Sequence, residues 1–112
     1  GGEKDEMTLR SAYNYADSLV ALKRYQEAKT LLRRMIPVVR RVFGDPHLTT
    51  IRMRWCYAAA LSRAAAATLD DLREAVTMFE ELDRIARRVF GGAHPDTTRI
   101  ENALRNARAE IH

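Results

Sequence analysis

A near-repetition constrains this chain more than any other feature. Arg40-Arg41-Val42-Phe43-Gly44 returns as Arg87-Arg88-Val89-Phe90-Gly91, 47 residues later. Tyr25-Gln26-Glu27-Ala28 returns as Leu72-Arg73-Glu74-Ala75 at the same shift, whereas Thr8-Leu9 returns as Thr50-Ile51 after only 42. The difference of five residues implies an insertion ahead of Leu72, expected within Ala64-Ala65-Ala66-Ala67-Thr68. His94-Pro95-Asp96-Thr97 then repeats His47-Leu48-Thr49-Thr50, so a third unit begins and stops. A period of this length with two helices per unit defines a helical solenoid, in which each unit buries its apolar face against its neighbours.

The local signals agree. Gly44-Asp45-Pro46 and Gly91-Gly92-Ala93-His94-Pro95 are breaks, and the residues between them are mostly strong helix formers. No stretch alternates apolar and polar for long, so no strands are expected. Leu9, Ala12, Ala16 and Leu19 form one helical stripe, widened by Tyr15 and Leu22, with Asp5 or Thr8 as its cap. Ala28, Leu31, Leu32, Met35, Val38, Val39 and Val42 form a second, in which Pro37 predicts a kink. A third helix starts near Leu48, with Ile51, Tyr57, Ala58 and Leu61 inward. A fourth starts near Leu69, where Thr68 and Asp71 read as a capping box with Asp in the usual place of Glu. Its stripe runs through Leu72, Ala75, Met78, Phe79, Leu82, Ile85, Ala86 and Val89. A fifth runs from about Asp96 through Ile100, Leu104, Ala107 and Ile111. The expected fold is all-α: two antiparallel helix pairs plus a C-terminal capping helix, five helices in all. Residues 1–7 read as a tag remnant and tail, and 8–111 as one domain. Repeat one covers about 8–46, repeat two about 47–94 with its insertion near 64–68, and the capping helix about 96–111.

Arg24-Tyr25-Gln26-Glu27-Ala28, the helix end Val-Phe-Gly and Gly92-Ala93-His94-Pro95-Asp96-Thr97 together resemble the tetratricopeptide repeat (TPR). The resemblance is nearest to the longer repeats of kinesin light chains, and spans about Thr8 to Ile111. It implies close helix crossings at Ala16, Ala58, Ala28 and Ala75. Lys23 stands where the family's turn usually has glycine, which predicts a strained residue there. The resemblance also implies a protein-binding concave face on the first helix of each pair. The candidate binding residues are Arg10, Tyr13, Asn14, Asp17, Arg52, Trp55, Ala59, Ser62, Arg63, Asn102 and Asn106. Only Asn102 and Asn106 keep the family's paired asparagines. Tyr13 and Trp55 are expected to point together into this groove, where aromatics flanked by arginine make strong anchors. Kinesin light chains bind short peptides with a tryptophan amid acids, so an acidic peptide is the first partner to expect.

The net charge of +4 rests almost wholly on arginine, spread along the 112 residues and mixed with acids. That distribution argues against a nucleic-acid surface, whose footprint is clustered charge. The arginines at 33, 34, 40, 41, 87 and 88 read as a solvated face whose last-turn members suit the helix dipole. No apolar run reaches membrane-span length, and no signal peptide is visible in Gly-Gly-Glu-Lys-Asp-Glu-Met. A single cysteine, Cys56, excludes an internal disulfide and suits a reducing, cytoplasmic setting. It lacks a base to activate it and reads as an inert thiol. His47 and His94 read as capping residues, since no Cys/His cluster surrounds them. Asp70-Asp71 and Glu80-Glu81 read as helix-start and surface charges. No catalytic constellation, cofactor, metal or small-molecule substrate is expected. The alternative reading is a structural or self-associating segment of a longer array, with a homodimer formed through exposed solenoid ends. Ile100, Leu104 and Ile111 are the candidates for covering repeat two or for pairing with another chain.

Overall fold

The computed structural model describes residues 2–111, with side chains from Asp5 to Ile111. It contains five helices: α1 (Gly2–Ala21), α2 (Tyr25–Phe43), α3 (Leu48–Arg63), α4 (Leu69–Phe90) and α5 (Pro95–Ile111). Each helix packs on the next. α1 also meets α3, and α3 meets α5, whereas α2 and α4 do not meet. Hence α1, α3 and α5 form the closer, inner layer, and α2 and α4 splay outside. This is the expected helical solenoid. Small residues explain the tight crossings: Ala16, Ala28, Ala58 and Ala75 are all fully buried. Around them the core is filled by Leu9, Leu19, Leu32, Ile51, Leu61, Phe79, Leu82 and Ile100.

Two expectations about α1 are corrected. The first concerns its start: α1 begins at Gly2, and Asp5 and Glu6 lie near that start, where the helix dipole favours acids. Asp5 and Thr8 therefore lie inside the helix and do not begin it. Tyr15 and Leu22, assigned to the core stripe, lie on the outer flank of α1, where no further helix covers them.

The repeated Phe-Gly-x-x-His segment is a turn and cap in one. Gly44 (φ 85°) and Gly91 (φ 88°) adopt a backbone conformation open mainly to glycine, and their N–H groups donate to Arg40 and Arg87 carbonyls at 3.0 Å. His47 then stacks on Phe43, with ring centroids 4.1 Å apart, and His94 on Phe90, at 4.6 Å. Each imidazole Nδ1 accepts a backbone N–H of the next helix at 3.1 Å, from Thr49 and from Asp96. These are the capping histidines that the sequence implied, and they fix where α3 and α5 begin. Pro95 occupies the first helical position of α5, where a missing donor costs nothing.

The insertion divides between a loop and a helix. The connection 22–24 spans three positions and 64–68 spans five, while α2 has 19 residues and α4 has 22. Two of the five extra residues thus lengthen the turn, and three extend α4 at its start. Thr68 and Asp71 close that new end with a reciprocal capping box, Thr68 Oγ1 accepting at 3.1 Å and the Asp71 carboxylate at 3.0 Å. α2 runs unbroken through the exposed Pro37.

Candidate functional site

The inner layer places residues of α1, α3 and α5 side by side at equivalent repeat positions. Arg10, Arg52 and Arg99 occupy one such set, and Tyr13, Trp55 and Asn102 another. Trp55 is the centre of the arrangement. The Arg63 guanidinium lies 5.1 Å from its ring and the Arg99 guanidinium 5.2 Å away. These cation–π contacts leave the indole only 8 % exposed, so Trp55 does not project freely into the groove as expected. Its Nε1–H is buried and has no acceptor among the described residues. Such an unpaired donor costs roughly 1–3 kcal/mol. Beside it Tyr13 is half-buried, and its phenol pKa is raised by burial first and by Asp17 second. Arg52 and Arg99 act in the opposite direction.

Other candidate residues separate into surface and core. Arg10, Asn14, Asp17, Arg63, Asn102 and Asn106 are exposed, and Ser62 is half-buried. Ala59 is fully buried between helices, so it is removed from the binding face; a methyl side chain at a helix crossing cannot reach a partner. Arg10 covers the Phe43 ring at 5.4 Å. Asn102 already accepts a hydrogen bond from Arg105 at 3.1 Å. Arg52 is committed within the fold: it grips the Asp96 carboxylate with Nε at 3.3 Å and Nη2 at 3.0 Å. This fork ties α3 to the start of α5, and hydrogen bonding to Asp96 is the main reason the Arg52 pKa is raised.

Ser62, Arg63 and Asn106 come together around a cavity of about 460 Å³ at the joint of α3, the inserted loop, α4 and α5. Its floor includes Leu72, Phe79, Ala103 and Ala107, and Glu110 completes a polar rim. The equivalent place in the first repeat is filled: Val20 and Ala59, both buried there, stand where the second repeat has Ser62 and Asn106. The volume lies within the range of small-ligand and side-chain pockets, about 300–1,000 Å³.

Two residues escaped the sequence reading. Arg99 was legible as the repeat partner of Arg10 and Arg52, because the shifts place all three in register. Arg54 gave no signal at all. It is buried within α3 and pairs with Glu81 of α4 at 3.0 Å, leaving its other terminal nitrogen without a partner. Cys56 is fully buried, and burial pushes its thiol pKa up to about 12, so it stays protonated and unreactive at neutral pH. The six outer-face arginines behave as surface cations, with Arg40 bound to Asp45 at 2.7 Å and Arg87 to Glu101 at 2.7 Å. Among the described residues no three His, Cys, Asp or Glu side chains group to hold a metal. Among the described residues no helix is long and apolar enough to cross a membrane.

Residues 7–49 and 58–96 both match the tetratricopeptide repeat family model, and the chain belongs to that family. Repeats of this family generally mediate protein–protein interactions, and the family is typically a non-catalytic scaffold. The unmatched stretch between the two repeats contains Arg52, Trp55 and Cys56. Comparison with curated proteins and with solved structures gives no match.

Proposed function

We propose that the inner face of α1, α3 and α5 binds an acidic peptide segment of a partner protein. One observation carries this reading: Arg10, Arg63 and Arg99 all lie on this face with their guanidinium groups over aromatic rings and no carboxylate in ion-pair range among the described residues. Every other arginine on the inner layer with a partner, such as Arg52, is neutralised within the fold. Guanidinium groups already held over rings lose less entropy when a carboxylate arrives than free side chains would, and their N–H donors can meet it in pairs. The buried Trp55 nitrogen offers a further donor once a peptide carbonyl displaces one of the covering arginines. The cavity beside Arg63 suits an apolar side chain of the same peptide. We place the chain among interaction scaffolds of the cell interior, in line with its lone reduced cysteine.

Trp55 makes the reading directly measurable. Titrating an array of Asp/Glu-rich nonapeptides, each with one apolar residue, should shift Trp55 fluorescence, with affinity falling as salt rises. Arg63→Glu together with Arg99→Glu should weaken the best peptide at least about 30-fold, or about 2 kcal/mol, with helical circular dichroism unchanged. No fluorescence change with any acidic peptide, or equal affinity in the charge-reversed variant, would sink the proposal.

A further inference from the structure

The two repeats differ at one point on the inner face. In the second, Arg52 Nε and Nη2 hold the Asp96 carboxylate, which is only 7 % exposed, and His94 Nδ1 lies 3.6 Å from its Oδ2. Further along α5, Ile100 and Leu104 are buried and do not form the exposed end expected of them, so apolar packing and the fork together hold this helix. The repeat shifts place Arg10 where Arg52 stands, His47 where His94 stands and Thr49 where Asp96 stands. The backbone matches too. His47 and His94 accept the N–H of Thr49 and of Asp96 at the same 3.1 Å. α1 packs beside α3 as α3 does beside α5, and Thr49 is buried like Asp96. Thr49 carries a hydroxyl and no carboxylate, so Arg10 lacks the acid that its counterpart has. The exposed Arg10 lies over the Phe43 ring, its guanidinium 5.4 Å from the centroid. Arg10 is therefore one half of a fork whose other half is not supplied among the described residues.

We infer that Arg10 and the adjoining start of α3 form a subsite for one carboxylate of the partner, gripped as Arg52 grips Asp96. The subsite rests on the proposed acidic-peptide function of the inner face, and it gives one of the peptide's acids a fixed place there. The pair already present in the second repeat defines the chemistry. A guanidinium fork matches the two oxygens of a carboxylate, and hydrogen bonds between charged groups are stronger than neutral ones. The start of α3 adds the positive end of its dipole. Phe43 holds the Arg10 head in place before the partner arrives, which lowers the entropy lost on binding. Arg99, the third arginine of this register, is engaged differently: its guanidinium covers Trp55 and hydrogen-bonds the Tyr13 phenol. Thr49 is thus the specificity-determining position. An acid there would close the subsite from within, and threonine leaves it to the partner.

Thr49→Asp tests this by giving Arg10 an acid from the chain itself. The thermal midpoint should rise by about 2–4 °C, partly through the helix dipole and partly through Arg10. In an Arg10→Gln background at least half of that rise should vanish. The C-terminally amidated Asp/Glu-rich nonapeptide that binds the native chain best should bind Thr49→Asp about tenfold more weakly. Ser18→Asp adds the same charge on the outer flank of α1 and should change affinity less than about twofold. Replacing the peptide's acids one at a time by their amides should cost about tenfold at one position in the native chain, and nothing at that position in Thr49→Asp or Arg10→Gln. If that sensitivity appears only with the unamidated peptide, the subsite stands and its carboxylate is a chain end, not a side chain. A midpoint rise undiminished in Arg10→Gln, or peptides that bind native and Thr49→Asp chains equally, overturns the subsite and leaves the wider face standing. Peptides that bind neither chain overturn both.

Discussion

Lys23 shows how much one backbone angle can cost. It is the only non-glycine residue with positive φ among the described residues, at 61°. Its N–H donates to Val20 at 3.0 Å and the Arg24 N–H to Leu19 at 2.8 Å, the paired bonds of a Schellman turn. The turn needs a left-handed residue, and an L-residue with a side chain pays roughly 1–2 kcal/mol to sit there. Lys23→Gly removes that strain but adds backbone freedom to the unfolded chain, which cancels about half of the gain. A net stabilisation of about 0.5–1 kcal/mol is expected in urea unfolding. A loss of stability would mean that Lys23 makes a compensating contact. The sequence already marked this position, since lysine there departs from the family's glycine. By contrast, nothing in a single sequence could announce the burial of Arg54. That burial depends on Glu81, 27 positions away, being brought within 3.0 Å by the packing of α4 on α3.

At the scale of the element, the signals that survived are those written in short-range chemistry. The Thr68–Asp71 box, the two histidine caps and the glycine turns depend on residues a few positions apart, and all were legible. The orientation of the inner-face side chains was not. Helical periodicity placed Trp55 off the core stripe, but whether it is bare depends on Arg63, about two helical turns away in α3, and on Arg99 from another helix. Tyr15 and Leu22 failed for the opposite reason: they have the right spacing for a core, but no neighbouring helix reaches them. The caps also make a prediction about acid. Hydrogen bonding to the Thr68 backbone holds the Asp71 carboxyl below the usual carboxylate range, and the Arg40 guanidinium does the same for Asp45. For a group whose pKa is lowered by folding, the stabilisation is complete above its unfolded value and fades as pH falls through the folded one. The thermal midpoint should therefore drop as pH falls below about 4, and the drop should be shallower in Asp45→Asn/Asp71→Asn. Thr68→Ala, which removes the other half of the box, should cost about 1 kcal/mol at neutral pH.

Over the whole molecule, the pattern of neighbours decides how stability is shared. α5 leans almost wholly on α4, whereas α3 touches every other helix. In a solenoid stability is close to a sum of unit and neighbour terms, so the ends should open before the middle. Hydrogen exchange should therefore find its most protected amides in α3. It should find its least protected ones at the outer turns of α1 and α5. Leu104→Ala tests the coupling, because Leu104 is buried in the interface that holds α5 to α4. A core truncation of this kind costs about 2–5 kcal/mol. If neighbours alone transmit it, exchange should quicken through α5 and the α4 face beneath it while α1 and α2 keep their native protection. Uniform quickening in all five helices would show instead that the chain opens as one cooperative unit. The Arg52–Asp96 fork would then be the natural cause, since it ties the start of α5 directly to α3. Repeating the exchange in Arg52→Gln/Leu104→Ala would confine the opening to α4 and α5 if that tie is what spreads it.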